Sequence, residues 1–192
     1  MSAERFRAEL RAFVDSIYEG EKKVLVFGDG AADARVALVG EAPGEQETLL
    51  GRPFVGKAGK NLDEFLALAG LQRGALYVTN TVKFRPTKVS PAGRTVNRPP
   101  TQEEVKLFLP WLLRELDALS PQCIVTLGNV PLKALMGRKA VVGELHGRFV
   151  EADGRRLYPM YHPASLIYNP SLRQTYREDV ERFGAWLRDN LS

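Results

Sequence analysis

The sequence predicts an α/β fold, a three-layer α/β/α sandwich around a mostly parallel, four-stranded central sheet. Two observations predict it. Four short runs, Val36–Val39, Leu76–Thr79, Cys123–Leu127 and Arg156–Tyr161, have the length and composition of strands that are buried in a sheet. Between them lie stretches with apolar residues at helical spacing, and strands that alternate with helices assemble as a parallel sheet covered on both faces. With 192 residues, 44% of them hydrophobic, the chain is expected to form a single domain over residues 1–192.

The elements follow in order. Phe6, Leu10, Phe13 and Ile17 mark an amino-terminal helix within residues 1–20. The run from Val36 ends in Gly40, and a Gly/Pro-rich loop follows through Gly44, Gly51, Pro53, Gly56 and Gly59. Leu62, Phe65, Leu66 and Ala69 form the next helical stripe, which Gly70 can close from the left-handed region. Leu76–Thr79 brings Asn80 to the carboxyl end of a strand. Residues 83–100 hold four prolines and no apolar period, so they read as a long loop, a length that usually serves function. Thr101 and Glu104 form a capping box ahead of the stripe Val105, Phe108, Leu112, Leu116 and Leu119, within which Pro110 predicts a kink. Cys123–Leu127 turns at Gly128 into a helix for which Asn129 is a candidate cap. Arg156–Tyr161 leads into His162-Pro163, and Leu172, Tyr176, Val180, Phe183 and Leu187 give the last helix.

Composition removes several classes of function. One cysteine, Cys123, excludes an intramolecular disulfide and any all-cysteine metal cage, and two histidines leave little for a zinc site. No stretch approaches the roughly 18 apolar residues of a membrane span. The acidic residues near the amino terminus do not fit a secretory leader, so a cytoplasmic location is expected. A formal charge of +4 and a pI near 9.3 permit a polyanionic partner. The basic residues cluster: Lys83, Arg85, Lys88, Arg94 and Arg98 share a segment with no acid.

In a parallel α/β sheet, ligands bind beyond the carboxyl ends of the strands. The polar exits are Gly40-Glu41, Asn80 and His162, far apart in sequence but gathered at one edge by this architecture. The loop GEAPGEQETLLGRPFVGKAG does not fit a nucleotide cradle. It has no G-x-G-x-x-G and no lysine followed by Ser or Thr, and it carries three carboxylates, Glu41, Glu45 and Glu47.

That loop, with NTVKFRP at Asn80–Pro86 and YHPASLIYNP at Tyr161–Pro170, resembles the uracil-DNA glycosylase superfamily, closest to its type-4 branch. The resemblance runs from about Val26 to the last helix. It implies an enzyme that flips a damaged nucleotide out of the stack and hydrolyses its bond to deoxyribose, leaving an abasic site and free uracil. Its implied partner is uracil-containing DNA, single- or double-stranded, and a monomer is the default expectation. The resemblance makes His162 the donor to the oxyanion that develops on uracil, and Glu41 the residue that holds or activates water. Asn80 would read the base edge, Phe54 would stack on it, and Glu47 would line its slot. Ala42 stands where another branch has an aspartate. Lys83 and Arg85 would meet phosphates, and Ser165, Leu166, Ile167 and Tyr168 would form a wedge for the minor groove. Glu45 is expected to face solvent.

Two departures are expected. Many type-4 members hold a four-iron cluster on four cysteines. Here Phe84 and Phe108 stand at two of those places, so no iron–sulfur cluster or other cofactor is expected. The segment 83–100 contains no histidine, which argues against the variant whose loop histidine attacks the sugar. Two other readings stay open: the same fold acting on hypoxanthine or xanthine, and a DNA-binding module without catalysis.

Overall fold

The computed structural model describes residues 2–190, so Met1, Leu191 and Ser192 of the expected domain lie outside it. Ser2 caps α1 (Ala3–Ile17), accepting the Arg5 N–H at 3.3 Å. Its buried stripe is Phe6, Leu10 and Val14, spaced four apart, while Ile17, predicted to be on that face, is 45% exposed. Next come β1 (Asp29–Gly30), β2 (Val36–Gly40), α2 (Glu45–Leu50), α3 (Lys57–Ala69), a 3-10 turn (Arg73–Ala75) and β3 (Tyr77–Asn80). β4 (Thr87–Val89), β5 (Thr95–Asn97), α4 (Gln102–Leu119), β6 (Cys123–Leu127) and α5 (Asn129–Met136) follow. The chain continues through α6 (Val142–Leu145), β7 (Val150–Ala152), β8 (Arg155–Met160), α7 (Ser165–Tyr168) and α8 (Leu172–Asn190).

The central sheet has the order β1-β3-β2-β6-β8-β7. Its four inner strands are the four predicted ones, and they pair in parallel. The sheet nevertheless has six strands rather than four, because β1 and β7 add antiparallel edges to β3 and β8. Edges of two and three residues are too short to show an apolar run or an alternation.

Both faces of the sheet are covered, and the pleat decides which residue meets which helix. Val36, Leu38, Val78, Cys123, Val125 and Tyr158 pack with Leu62, Phe65 and Leu66 of α3 and with Val180 and Phe183 of α8. Their neighbours Ala37, Val39, Ile124 and Leu157 point the other way, onto Leu112 and Leu116 of α4 and Leu135 of α5. Gly70 closes α3 at φ 72°, and Thr101 and Glu104 form the capping box of α4, both as the sequence predicts.

Two local expectations are corrected. Residues 83–100 are not one loop. β4 and β5 form a hairpin with Lys88 opposite Val96, closed by a turn in which Gly93 takes φ 74°. Its strands are three residues each, and the prolines around them mask the β-branched residues that form the ladder. Pro110, where the sequence predicts a kink, lies inside α4, which runs on to Leu119. Asn129 is not the cap of α5; Gly128 is, and Asn129 Oδ1 instead accepts the Val142 N–H at 2.9 Å.

Candidate active site

Gly40 lies opposite Asn80 across β2 and β3, and Leu127 lies opposite Met160 across β6 and β8, two residues before His162. The parallel strands therefore deliver their carboxyl ends to one edge. There a cavity of about 470 Å³ opens, with Ala42, Glu47, Phe54, Asn80 and His162 in its wall. The amide of Asn80 and the ring of Phe54 both lie close over Gly40; a Cβ there would overlap Asn80 Oδ1 and the Phe54 ring.

Phe54 has φ 53°, a left-handed conformation that a non-glycine residue keeps only when its surroundings hold it. Several groups do. Arg73 Nη2 donates to the carbonyls of Pro53 at 2.6 Å and Phe54 at 2.8 Å. The Glu47 carboxylate accepts the N–H groups of Val55 at 3.1 Å and Gly56 at 2.8 Å, and that of Gly44 at 3.1 Å. Gly59 lacks the Cβ that would collide with the Phe54 carbonyl. Glu47 thus lines the cavity while its carboxylate is committed to shaping the loop around it.

Asn80 is 3% exposed, and its side-chain amide has no hydrogen-bond partner among the described residues. Its backbone is pinned. Thr81 N–H and Oγ1 both donate to the Gly40 carbonyl at 2.8 Å, and Val82 N–H donates to the Glu41 carbonyl at 3.0 Å. These bonds extend the β2–β3 pairing past the strand ends.

His162 stands across the cavity, its ring centroid 6.1 Å from that of Phe54 with 30° between the planes. The Ala164 N–H donates to His162 Nδ1 at 3.1 Å. Nδ1 is therefore an acceptor, and the single proton of the neutral imidazole sits on Nε2. Burial pulls the pKa down from 6.5 to about 4, so the ring is a neutral donor at physiological pH. Stability should carry the same signature. Above pH 6.5 the ring is neutral whether folded or unfolded; between 6.5 and 4 the unfolded ring takes a proton that the folded ring refuses. Unfolding free energy should fall by about 3 kcal/mol across that window, and more steeply than in His162→Gln. Parallel pH curves for the two proteins would refute this.

The remaining predicted residues divide. Glu41 follows β2, yet its side chain does not line the cavity, and burial raises its carboxyl pKa. Lys83 requires correction as a phosphate contact: it is fully buried, with Nζ 2.6 Å from Glu115 Oε2. The Glu115 carboxylate, presented by α4, draws it inward rather than to the rim. Arg85 is held at the rim by Glu45 at 3.1 Å and Asn97 at 2.6 Å, and Glu45 is largely exposed as expected. Arg98 is paired with Glu104 at 2.6 Å, which leaves Lys88 and Arg94 as the exposed cations of the segment. Ser165, Leu166, Ile167 and Tyr168 form α7, with Leu166 packed on the core, Ile167 51% exposed and Tyr168 86% exposed. The reading from sequence missed Asn97, which lines the cavity from β5, and Arg73, which holds Phe54. No local pattern marks either; each acquires its part only when the hairpin and the 3-10 turn fold back.

The sequence model of the uracil DNA glycosylase superfamily matches residues 27–187. The chain belongs to this superfamily. It is 39% identical over 172 residues to a type-4 uracil-DNA glycosylase of Pyrobaculum aerophilum, covering 84% of this chain and 83% of that one. A type-4 uracil-DNA glycosylase of Archaeoglobus fulgidus is 38% identical, with 83% and 80% covered. A type-5 uracil-DNA glycosylase of P. aerophilum is 36% identical, with 83% and 72% covered. Membership places the chain among DNA repair glycosylases. Among the described residues, no helix is long and apolar enough to cross a membrane.

The iron–sulfur cluster implied by the type-4 resemblance does not fit the residues present. Such a cluster needs several thiolates. The chain has one cysteine, Cys123, buried in β6, where burial pushes its thiol up to about 12. Phe84 and Phe108 are instead buried against each other edge to face, centroids 5.6 Å apart, with Tyr18 5.4 Å from Phe84. Phe6, Leu10, Val14, Leu25 and Val82 complete that cluster.

Proposed function

We propose that this glycosylase hydrolyses the N-glycosidic bond of uracil in DNA, leaving an abasic site and free uracil. The observation that carries this reading is one cavity holding the unpartnered amide of Asn80, the ring of Phe54 and a histidine whose proton is fixed on Nε2. Asn80 Oδ1 can accept from uracil N3–H while its Nδ2 donates to O4, and cytosine presents the inverted pattern. Phe54 offers an aromatic face to the extruded base. As the glycosidic bond breaks, negative charge grows on the departing base, and His162 Nε2–H donates to the oxygen that receives it. Glu41 adjoins Ala42 of the cavity wall, and its raised pKa suits a group that holds or activates the attacking water.

The exposed Tyr168 and Ile167 fit a wedge that fills the vacated stack, and Lys88, Arg94 and Arg85 offer charge to the backbone. The protein is proposed to act as a cytoplasmic monomer. Oligonucleotides with a single uracil, hypoxanthine or xanthine, as single strands and opposite G or A, test the reading after alkaline cleavage of abasic sites. Scission with uracil alone is expected. Scission with the purines alone would move the specificity, and tight binding without scission would indicate a silent module.

We further propose that the Phe84–Phe108 packing replaces the cluster outright. Pure protein should contain essentially no iron or acid-labile sulfide. Near-stoichiometric iron would overturn this.

A further inference from the structure

We infer that the buried Lys83–Glu115 ion pair is a positioning device for Asn80, fixing the direction from which the amide reads the base. The inference deepens the reading of Asn80 proposed above and rests on it.

Lys83 is the largest charged side chain in the interior, at 0% exposure, and the Glu115 side chain is 5% exposed. The ammonium uses three donors: to Glu115 Oε2, to Thr79 Oγ1 and to the Asn80 carbonyl, each at 2.6 Å. Glu115, reaching in from α4, also accepts from Tyr77 OH at 2.7 Å and from Thr79 Oγ1 at 3.1 Å. Three of the four residues of β3 are therefore tied to one ion pair.

Stability alone gives little reason for this arrangement. A buried pair is costly to desolvate, and apolar residues of similar volume often serve the fold as well or better. Its neighbours in sequence, Val82 and Phe84, are buried apolar side chains. What the pair supplies is direction. The Asn80 carbonyl and the Thr81 N–H belong to one peptide unit. Lys83 holds the carbonyl end at 2.6 Å, and Gly40 O receives the N–H end at 2.8 Å. Fixed at both ends, that plane cannot turn, so the Cα–Cβ bond of Asn80 keeps its aim into the cavity.

The test is the double variant Lys83→Met/Glu115→Leu, which removes both charges and retains bulk. Three quantities are read: the rate of uracil release, inhibition by free uracil, and affinity for a duplex carrying an abasic site. Uracil release should fall by about 100-fold, the loss that a small misplacement of a binding group produces. Inhibition by free uracil should weaken in parallel, while affinity for the abasic duplex stays at the parent's value. A purely structural pair would move all three together or none. Glu115→Asp keeps both charges and withdraws the carboxylate by one methylene, so it serves if the double variant does not fold, with the same direction and a smaller factor expected. Full uracil release by either folded variant overturns the inference. Absence of uracil release by the parent itself overturns the underlying reading of Asn80, a distinct result.

Discussion

Replacing His162 with alanine is expected to slow uracil release by about 100- to 1,000-fold, with affinity for abasic-site DNA close to the parent's. The structure gives the reason for an effect of this size. The ring is half-buried, neutral and held by the Ala164 N–H on Nδ1, so its other nitrogen offers a donor that needs no reorientation when charge develops on the base. A donor already aimed at the departing anion stabilises it most where water is excluded. Alanine leaves a space that water can enter, but water must be ordered to donate. The measurement is a single-turnover rate at saturating enzyme, which separates chemistry from binding. Full activity in the variant would remove His162 from the mechanism.

The second large effect is expected at Asn80. In Asn80→Asp, uracil release should drop by about 100-fold, because an ionised carboxylate has no donor for uracil O4 and must take up a proton before it can pair with the base. The direction of the residual activity is the sharper test. A carboxyl group at a position only 3% exposed is driven toward its protonated form. Protonated, it donates from O–H and accepts at C=O, which matches cytosine N3 and the N4 amino group. Cytosine release should therefore rise relative to uracil, measured on oligonucleotides differing in that one base. An unchanged ratio of the two rates would show that Asn80 does not read the edge.

Much of the fold was legible because buried parallel strands leave continuous apolar runs. Val36–Gly40 and Cys123–Leu127 are buried at every position, and each is visible as a run in sequence. The cavity was legible at the strand exits: Asn80 ends β3 and His162 lies two residues past β8, and both stand out in the sequence as polar residues closing apolar runs. Lys83 shows what position alone misses. A lysine in a basic segment reads as a surface charge, and only the packing of α4 against β3 supplies the carboxylate that draws it inside. Glu41 shows the converse, since adjacency to the strand end did not carry its side chain into the cavity. The hairpin from Thr87 to Asn97 was hidden because short strands among prolines have no period to detect.

The borders of the sheet have a consequence for behaviour at high concentration. Long, unpaired strand borders recruit strands from other molecules, a route to fibres. Here β1 offers two residues and β7 three, and Gly30 of β1 takes φ 134°, which few side chains could follow. A neighbouring chain finds almost no ladder to extend, so crowding should not readily turn this molecule into a template for stacked copies of itself.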